Sequence, residues 1–329
     1  MQAILPLAGK GTRLRPHTHT RPKPLLRVAN RPVLDYVLRQ LEEVGVDEII
    51  GITGHLAPEI EAWLAAEHPD VRFRPVPQER QLGTADAIRL AEPHVEGPVL
   101  IVFVDTLFDA DLGLIQSRPD VDGIIWAKEV EDYQRFGVIV TDEDSCMRHI
   151  VEKPSEPISR LANIGLYYVR DWRLMFEGIS HVMTQPPKFG EYFLTDAFQY
   201  MIDHGARLLT AEVDHWWDCG KQETLLETNR EVLLAGGQRA PAARDGVKVV
   251  GPVCVEPDVV LESTEIGPDV SIAAGSTIRG GRLRNCIIGA GSTLTDCDLR
   301  DSLIGDHVSV RGVTGTVTLG DHTVIDQDV

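Results

Sequence analysis

Residues 1–34 read MQAILPLAGKGTRLRPHTHTRPKPLLRVANRPVL, an apolar run followed by a loop that contains two glycines and many basic residues. The run from Ala3 to Ala8 predicts a buried strand, and helical spacing resumes from Pro32 to Val44. The stretch holds seven Lys or Arg residues and no acid, although the whole chain has a formal net charge of −18. A strand that leads into a cationic glycine loop favours binding of a highly charged phosphate ligand.

The composition limits the class of protein. The chain has 329 residues, enough for two domains with their own cores. Its pI of about 5.0 argues against nucleic acid or an anionic membrane as the main partner. No apolar run approaches the length of a membrane helix and no signal peptide is recognised, so we expect a cytoplasmic protein. The five cysteines show no Cys-x-x-Cys spacing, and we expect them to be reduced and structural.

Residues 1–234 alternate between strand-like and helical patterns. Strands are predicted at Glu48–Thr53, Val71–Val76 and Pro98–Val104, and helices at Ala57–Glu67 and Thr84–Ala91. This alternation predicts a Rossmann-like, mostly parallel sheet with helices on both faces. Ligands of such sheets bind beyond the carboxyl ends of the strands, where the loop at Gly9 and the acid at Asp105 both fall.

A different repeat follows a short linker at 235–246. Branched aliphatic residues recur about every six positions, at Val249, Val255, Leu261, Ile266, Ile272, Ile278, Ile288, Leu294, Ile304, Val310, Leu319 and Ile325. A glycine follows an aliphatic residue at Gly251, Gly267, Gly289, Gly305 and Gly320. Because this period is neither that of a helix nor simple strand alternation, it favours a parallel β-helix over a β-sandwich with coincidental spacing. Residues 247–329 are similar to the left-handed, hexapeptide-repeat β-helix.

The N-terminal loop differs from two common phosphate-binding motifs. It lacks the Gly-Lys-Ser/Thr ending of a Walker A loop, and Leu14 stands where a dinucleotide fingerprint needs its third glycine. It does resemble the signature GxGTRLxPxT, followed by Lys-Pro, of the sugar-1-phosphate nucleotidylyltransferases. The matching residues are Gly9, Gly11, Thr12, Arg13, Leu14, Pro16, Thr18, Lys23 and Pro24.

Further elements of that family occur in the expected order. They are Gln78 with Leu82–Ala85, Asp105, Gly137, Glu152-Lys153-Pro154, Asn163 to Tyr167, Gly190 to Asp196, and Trp217 to Gly220. The resemblance covers nearly the whole chain, because long members of the family also end in a hexapeptide-repeat domain. The likeness is closest to the long-form glucose-1-phosphate thymidylyltransferases.

The resemblance implies that a nucleoside triphosphate and a sugar 1-phosphate are joined with Mg²⁺ as cofactor. Neutralisation of charge and alignment dominate such phosphoryl chemistry. The implied catalytic residues are Arg13 on the β- and γ-phosphates, Lys23 between the α-phosphate and the sugar phosphate, and Lys153 on the sugar phosphate. The implied nucleotide-binding residues are Ala8, Gly9, Gly11, Thr12, Gln78, Gly83 and Thr84. The implied metal ligands are Asp105 and Asp218, and the implied sugar-binding residues are Gly137, Glu152, Asn163 and Glu191.

The amide of Gln78 suits a pyrimidine edge that offers an acceptor beside an N–H. This favours dTTP or UTP, although a flipped amide could serve CTP. Two positions depart from the family pattern: Val104 replaces a glycine before the metal-binding acid, and Phe189, beside Lys188, replaces an arginine. The sugar assignment, glucose 1-phosphate, therefore remains open.

Several alternatives stay open at this point. The same chemistry could use N-acetylglucosamine 1-phosphate, mannose 1-phosphate, CTP or GTP, or the chain could be a non-catalytic sensor of nucleotide sugars. The β-helix could carry an acyltransferase with a catalytic histidine, but His307 and His322 recur at one turn position and are predicted to be corner residues. We expect the β-helix to mediate a homo-oligomer, a trimer or another assembly, with no nucleic acid or membrane partner.

Overall fold

The computed structural model of the chain describes residues 1–54 and 56–326, and its contacts divide the chain into two compact units. The first unit contains Met1–Gly9 and Val37–Trp216, and the second contains Lys10–Tyr36 and the chain from Trp217 onward. The boundary predicted at residue 234, with a linker over 235–246, follows the change in repeat pattern and stays a prediction. The last three residues of the predicted 247–329 domain lie outside the described residues.

The helices follow the apolar periodicity of the sequence. In the described residues the α-helices are α1 Val33–Glu43, α2 Ala57–Glu67, α3 Thr84–Arg89, α4 Leu114–Ser117, α5 Trp172–Met183, α6 Leu194–Asp203 and α7 Gln222–Val232. Short 3-10 helices cover Thr12–Leu14, His17–His19, Lys23–Leu25, Glu92–His94 and Tyr133–Arg135, and a π-helix covers Leu233–Gly237. None of the described helices is both long and apolar enough to cross a membrane.

The first unit is built on a mixed sheet. Its strands are β1 Gln2–Pro6, β2 Glu48–Thr53, β3 Arg72–Pro77, β4 Val99–Val102, β5 Gly123–Glu129, β6 Gly137–Thr141, β7 Met147–Glu152, β8 Leu161–Val169 and β9 Leu208–Glu212. The order is β7-β6-β8-β4-β1-β2-β3, and β5 pairs with both β8 and β9. Short strands outside it are Arg27–Val28, Arg31–Pro32, Thr106–Asp109 and His215–Asp218.

The parallel half of this sheet is Rossmann-like, as the sequence predicts. Strands β3, β2, β1 and β4 run parallel to one another. Strand β8 runs antiparallel to β4, β5 and β6, so the other half of the sheet is mixed. The chain leaves β1 in one direction to β2 and β3, and then returns to the other side of β1 at β4. Ligands of open α/β sheets bind at such a switch point, and Gly9 and Asp105 follow β1 and β4 there.

The second unit contains the predicted left-handed parallel β-helix. Its described strands are Lys248–Val249, Val253–Val255, Val260–Glu262, Glu265–Ile266, Val270–Ile272, Thr277–Arg279, Arg282–Ile288, Thr293–Thr295, Asp298–Ile304, Ser309–Arg311, Thr314–Gly315, Thr318–Leu319 and Val324–Asp326. Lys248 pairs with Glu265 and Glu265 with Arg282, so each coil is slightly shorter than three hexapeptides. Leu283 and Leu299 are fully buried and fill core positions that the six-residue series skips.

The tight turns of the β-helix leave no space for a side chain at one of its glycines and place two histidines at equivalent corners. A Cβ on Gly289 would lie 2.4 Å from the carbonyl carbon and oxygen of Gly305 in the next coil, so no larger residue fits that corner. His307 and His322 occupy equivalent turns with φ of 56° and 62°, and their rings stack with centroids 5.2 Å apart. They are corner residues, as predicted. All five cysteines of the chain are buried.

Candidate active site

The N-terminal loop has a conformation that requires glycine. Gly11 has φ 58° and precedes the 3-10 helix Thr12–Leu14. A Cβ at this position would lie 2.8 Å from the Thr18 methyl group and 3.2 Å from Cβ of Lys23. The Thr18 hydroxyl donates to the Gly11 carbonyl oxygen at 2.8 Å, which holds the loop folded over the start of the Lys23 helix.

Charged groups of the second unit converge around Gly220. A Cβ on this buried glycine would lie 2.7 Å from Oδ1 of Asp218, 3.2 Å from Nη2 of Arg13 and 3.4 Å from Nζ of Lys23. The Gly220 amide donates to Oδ1 of Asp218 at 2.7 Å, and the Thr224 hydroxyl lies 3.3 Å from Oδ2. Three residues that the sequence predicts for phosphate or metal binding are therefore brought together. Any side chain at position 220 would fill the space that they share.

Two other cations of the N-terminal segment form ion pairs with the β-helix. Arg21 and Arg27 both donate to the carboxylate of Asp306 in the β-helix, Arg27 at 3.2 Å. Burial tends to raise the pKa of Asp306, but the two guanidinium charges outweigh it and hold that pKa below its usual value. His17 is also buried, and burial lowers its pKa to about 4, so its ring is neutral. These contacts bind the N-terminal segment to the β-helix within the second unit.

Predicted sugar-binding residues of the first unit surround Gly137. A Cβ on Gly137 would lie 2.3 Å from Nδ2 of Asn163, 2.7 Å from the Thr195 methyl group and 2.9 Å from Oε2 of Glu152. Asn163 donates to the Gly137 carbonyl oxygen at 2.8 Å, and the Thr195 hydroxyl donates to Glu152 at 3.0 Å. Burial raises the pKa of Glu152, while Thr195 and the nearby ammonium of Lys153 oppose this shift. The arrangement offers amide, hydroxyl and carboxyl groups to one polar ligand.

Lys153 lies beside this group of polar residues. Its Nζ lies 4.0 Å from Oε1 of Glu152 and 4.7 Å from the centre of the Phe193 ring. Its backbone has φ 46°, an uncommon conformation for a residue other than glycine. Glu191 is exposed and lines an adjacent open pocket with Lys188, and its charge is among those that raise the pKa of Glu152.

The position that departs from the family pattern is Phe189. It is 75% exposed, has φ 51°, and lies edge-on to the Phe193 ring that Lys153 faces. Lys188 forms a 2.5 Å ion pair with Asp196. The side chain of Lys188 is 59% exposed, so this is a surface ion pair, and a role for Lys188 in place of the missing arginine stays a prediction.

The predicted base-reading segment is folded against two neighbouring segments. Gln78 follows β3, and its Nε2 donates to Oδ2 of Asp86 at 3.2 Å. Gly83 has φ 117°, and a Cβ there would lie 2.3 Å from the carbonyl oxygen of Tyr192. The Thr84 hydroxyl accepts from the Leu194 amide at 2.9 Å, so this segment is fixed to the start of α6.

Ala8, Gly9 and Asp105 lie at the carboxyl ends of β1 and β4. The side chain of Gln81 donates to the Ala8 carbonyl oxygen, and the space around Gly9 is open on the side where a Cβ would point. Asp105 is half-buried, and its charge is among those that, with burial, raise the pKa of Tyr167. The Tyr167 hydroxyl donates to Asn163.

Thr195, Asp86 and Gln81 are among the contacting residues that sequence reasoning did not single out. Thr195 belongs to the quoted Gly190 to Asp196 element, so that element contained a signal for it. Asp86 and Gln81 have no motif of their own, and only their contacts identify them.

Comparison with known proteins identifies the family of the chain. A family model described as nucleotidyl transferase matches residues 2–234. The low-salt glycan biosynthesis nucleotidyltransferase Agl11 of Haloferax volcanii is 31% identical over 100% of this chain and 99% of its own length. The glucose-1-phosphate thymidylyltransferase of Streptomyces antibioticus is 28% identical over 99% of each chain. A solved UDP-glucose pyrophosphorylase complexed with UDP-glucose covers 71% of this chain and 98% of its own, with a TM-score of 0.62 at 24% identity, which shows a shared fold. The chain belongs to the nucleotidyl transferase family.

Proposed function

We propose that the chain is a Mg²⁺-dependent sugar-1-phosphate nucleotidylyltransferase that joins dTTP or UTP to a hexose 1-phosphate, with glucose 1-phosphate favoured. The observation that carries this proposal is the convergence of Arg13, Lys23 and Asp218 around Gly220. Two cations and one carboxylate that converge around a glycine suit a polyphosphate ligand with its metal. The name of the Streptomyces relative supports the choice of glucose 1-phosphate and a thymidine nucleotide.

The proposed reaction is a single in-line displacement. An oxygen of the sugar phosphate attacks the α-phosphorus, the bond from the α-phosphorus to the bridging oxygen breaks, and pyrophosphate leaves. The guanidinium of Arg13 holds the β- and γ-phosphates as charge develops on them, because its planar fork matches two phosphate oxygens. Lys23 neutralises the α-phosphate and Lys153 the sugar phosphate, which reduces the repulsion between two anions.

The carboxylates of Asp105 and Asp218 are proposed to hold Mg²⁺ on the basis of their sequence elements. Carboxylate oxygens are the ligands that Mg²⁺ prefers, and it commonly takes one or two of them together with substrate phosphates. Among the described residues no group of three or more His, Cys, Asp or Glu side chains is arranged to hold a metal ion. When bound, the ion would supply positive charge to phosphate oxygens.

The sugar and base assignments rest on the first unit. Glu152, Asn163 and Thr195, around Gly137, offer groups that match sugar hydroxyls. Gln78 is proposed to read the base, with Gly83 and Thr84 shaping its segment. Glu191 is proposed to frame the sugar pocket from its exposed position.

The test is pyrophosphate release across a matrix of UTP, dTTP, CTP and GTP with glucose, N-acetylglucosamine and mannose 1-phosphates, with and without Mg²⁺. We expect the highest kcat/KM with glucose 1-phosphate and dTTP or UTP, and none without the metal. Silence across the matrix, combined with binding of nucleotide sugars, would favour a sensor protein. Transfer of an acyl group from acetyl-CoA to an amino sugar would establish a second activity in the β-helix.

We also propose a cytoplasmic homo-oligomer assembled through the β-helix. Flat prism faces can stack on one another, and Val249, Val260 and Val324 are apolar residues that remain exposed on this domain. Sedimentation of the full chain is expected to give more than one subunit, and a monomer at micromolar concentration contradicts this part of the proposal.

A further inference from the structure

The buried carboxylate of Asp86 has no role in the chemistry described above. Asp86 lies in α3 with only 4% of its surface exposed. Arg89 donates to Oδ1 at 3.1 Å, and Gln78 donates through Nε2 to Oδ2 at 3.2 Å. One acid thus binds both a neighbouring cation and the side chain that is proposed to read the base.

This contact fixes which way the Gln78 amide faces. An ionised carboxylate only accepts hydrogen bonds, so it pairs with the amide nitrogen and repels the amide oxygen. Flipping the amide would replace a charge-assisted hydrogen bond by two acceptors facing each other. The backbone amide of Gln78 also donates to Thr53 at 2.9 Å, which keeps the residue in place at the end of β3.

With its orientation fixed, the Gln78 amide offers a ligand one arrangement of hydrogen-bond acceptor and donor. Oε1 can accept, and the second hydrogen on Nε2 can donate. Uracil, thymine and guanine present an N–H beside a carbonyl oxygen, which matches this pattern. Cytosine and adenine present a ring nitrogen acceptor beside an amino group, so they would place an acceptor against Oε1 unless the amide flipped.

We propose that Asp86 is a positioning residue that makes this enzyme select bases with an N–H beside a carbonyl oxygen, and so exclude CTP and ATP. The proposal rests on the proposed function, because it assumes that Gln78 reads the base. It removes the flipped amide, which the sequence alone left open for CTP. Guanine presents the same pattern as uracil, so Asp86 does not discriminate against GTP.

The selectivity should be large enough to measure. A hydrogen bond to a charged group is worth enough to change an equilibrium constant by about 10- to 100-fold. We therefore expect wild-type enzyme to prefer UTP over CTP in kcat/KM by at least about this factor. Asp86→Asn has nearly the same shape but can present either an oxygen or an NH₂ group to Gln78, so the preference should fall by about 10-fold or more.

The experiment compares wild type, Asp86→Asn, Gln78→Ala and Arg89→Gln. Arg89→Gln is the matched control, because it alters the other oxygen of Asp86 and leaves the contact with Gln78, and it should keep the wild-type preference. Gln78→Ala should lose the preference as Asp86→Asn does. UTP and CTP carry the same triphosphate, so a purely structural effect of a substitution would lower kcat/KM for both and leave their ratio unchanged.

Equilibrium binding of UTP and CTP, measured without sugar phosphate, separates this inference from the proposed function. A protein that prefers UTP in binding but releases no pyrophosphate would disprove the proposed activity and leave the role of Asp86 standing. Asp86→Asn that folds, binds UTP and keeps the wild-type ratio of UTP to CTP affinity overturns the inference. Equal binding of UTP and CTP by the wild-type protein overturns it as well.

Discussion

Replacing Asp306 tests whether the β-helix holds in place the N-terminal segment that is proposed to bind phosphates. The Asp306 carboxylate accepts hydrogen bonds from Arg21, from Arg27 at 3.2 Å and from the Ala290 amide at 2.9 Å. Its side chain is 14% exposed, and those of Arg21 and Arg27 are 22% and 28% exposed. Asp306→Ala would leave two largely buried guanidinium groups without the carboxylate that they share.

The expected loss follows from this burial. Removing one partner of a buried ion pair costs about 3–5 kcal/mol. Because both arginines keep some exposure, Asp306→Ala should lower the free energy of unfolding by about 3 kcal/mol. Asp306→Asn keeps an oxygen for the Ala290 amide and should cost about 2 kcal/mol. Asp298 lies in the same part of the β-helix but is exposed, so Asp298→Ala should change the free energy of unfolding by less than about 0.5 kcal/mol.

The effect should also depend on pH. The folded-state pKa of Asp306 lies below the ordinary value of 3.8, so its stabilising contribution is fully present above the pKa of the unfolded carboxyl. It is lost as the pH falls through the lower folded-state pKa. The difference in unfolding free energy between wild type and Asp306→Asn should therefore be constant near neutral pH and shrink in acid.

Urea unfolding followed by circular dichroism measures the stability, and pyrophosphate release measures the activity. Arg13 and Lys23 lie on the segment that Arg21 and Arg27 anchor, so Asp306→Ala should also lower kcat/KM by about tenfold through misplaced cations. If Asp306→Ala unfolds at the wild-type urea midpoint, the ion pairs do not stabilise the segment. If it is destabilised but fully active, the anchor has no part in positioning the cations.

Three further predictions concern the site itself. Glu152→Gln should raise the KM for sugar 1-phosphate about tenfold. Burial raises the pKa of Glu152, so the wild-type protein loses stability as this carboxyl ionises with rising pH. A Glu152→Gln variant that is less stable than wild type at neutral pH would contradict this. Gly83→Ala should lower the free energy of unfolding by about 2 kcal/mol or more, because φ is 117° and the new Cβ would lie 2.3 Å from a carbonyl oxygen. A Cβ at Gly97 would meet nothing within 4 Å, so the control Gly97→Ala should be nearly neutral in the same urea titration. Arg13→Lys should lower kcat/KM by about tenfold or more in the pyrophosphate assay, because a single ammonium replaces a guanidinium that can donate two parallel hydrogen bonds. An equal loss in the control Arg15→Lys would argue against a specific role for Arg13.

Much of the fold was predictable because its signals are local and repeated. The strand Glu48–Thr53 and the helix Ala57–Glu67 have the predicted bounds. The aliphatic series marks the core of the β-helix except at its first member, Val249, which is exposed at the first coil. The shortened coils were not predictable, since the six-residue series does not include Leu283 or Leu299. Their burial depends on how each coil stacks on the next.

The sequence by itself determined the family, the fold of both halves of the chain and the residue types available for phosphate, sugar and base. These depend on motifs and periods that a linear chain displays. Only the tertiary structure decided how the cations of the opening segment divide, with Arg13 and Lys23 near Gly220 and with Arg21 and Arg27 on Asp306. Only the structure paired Gln78 with Asp86 and Lys188 with Asp196. Partners of a charge or an amide are chosen by distance and burial in space, and spacing along the chain specifies neither.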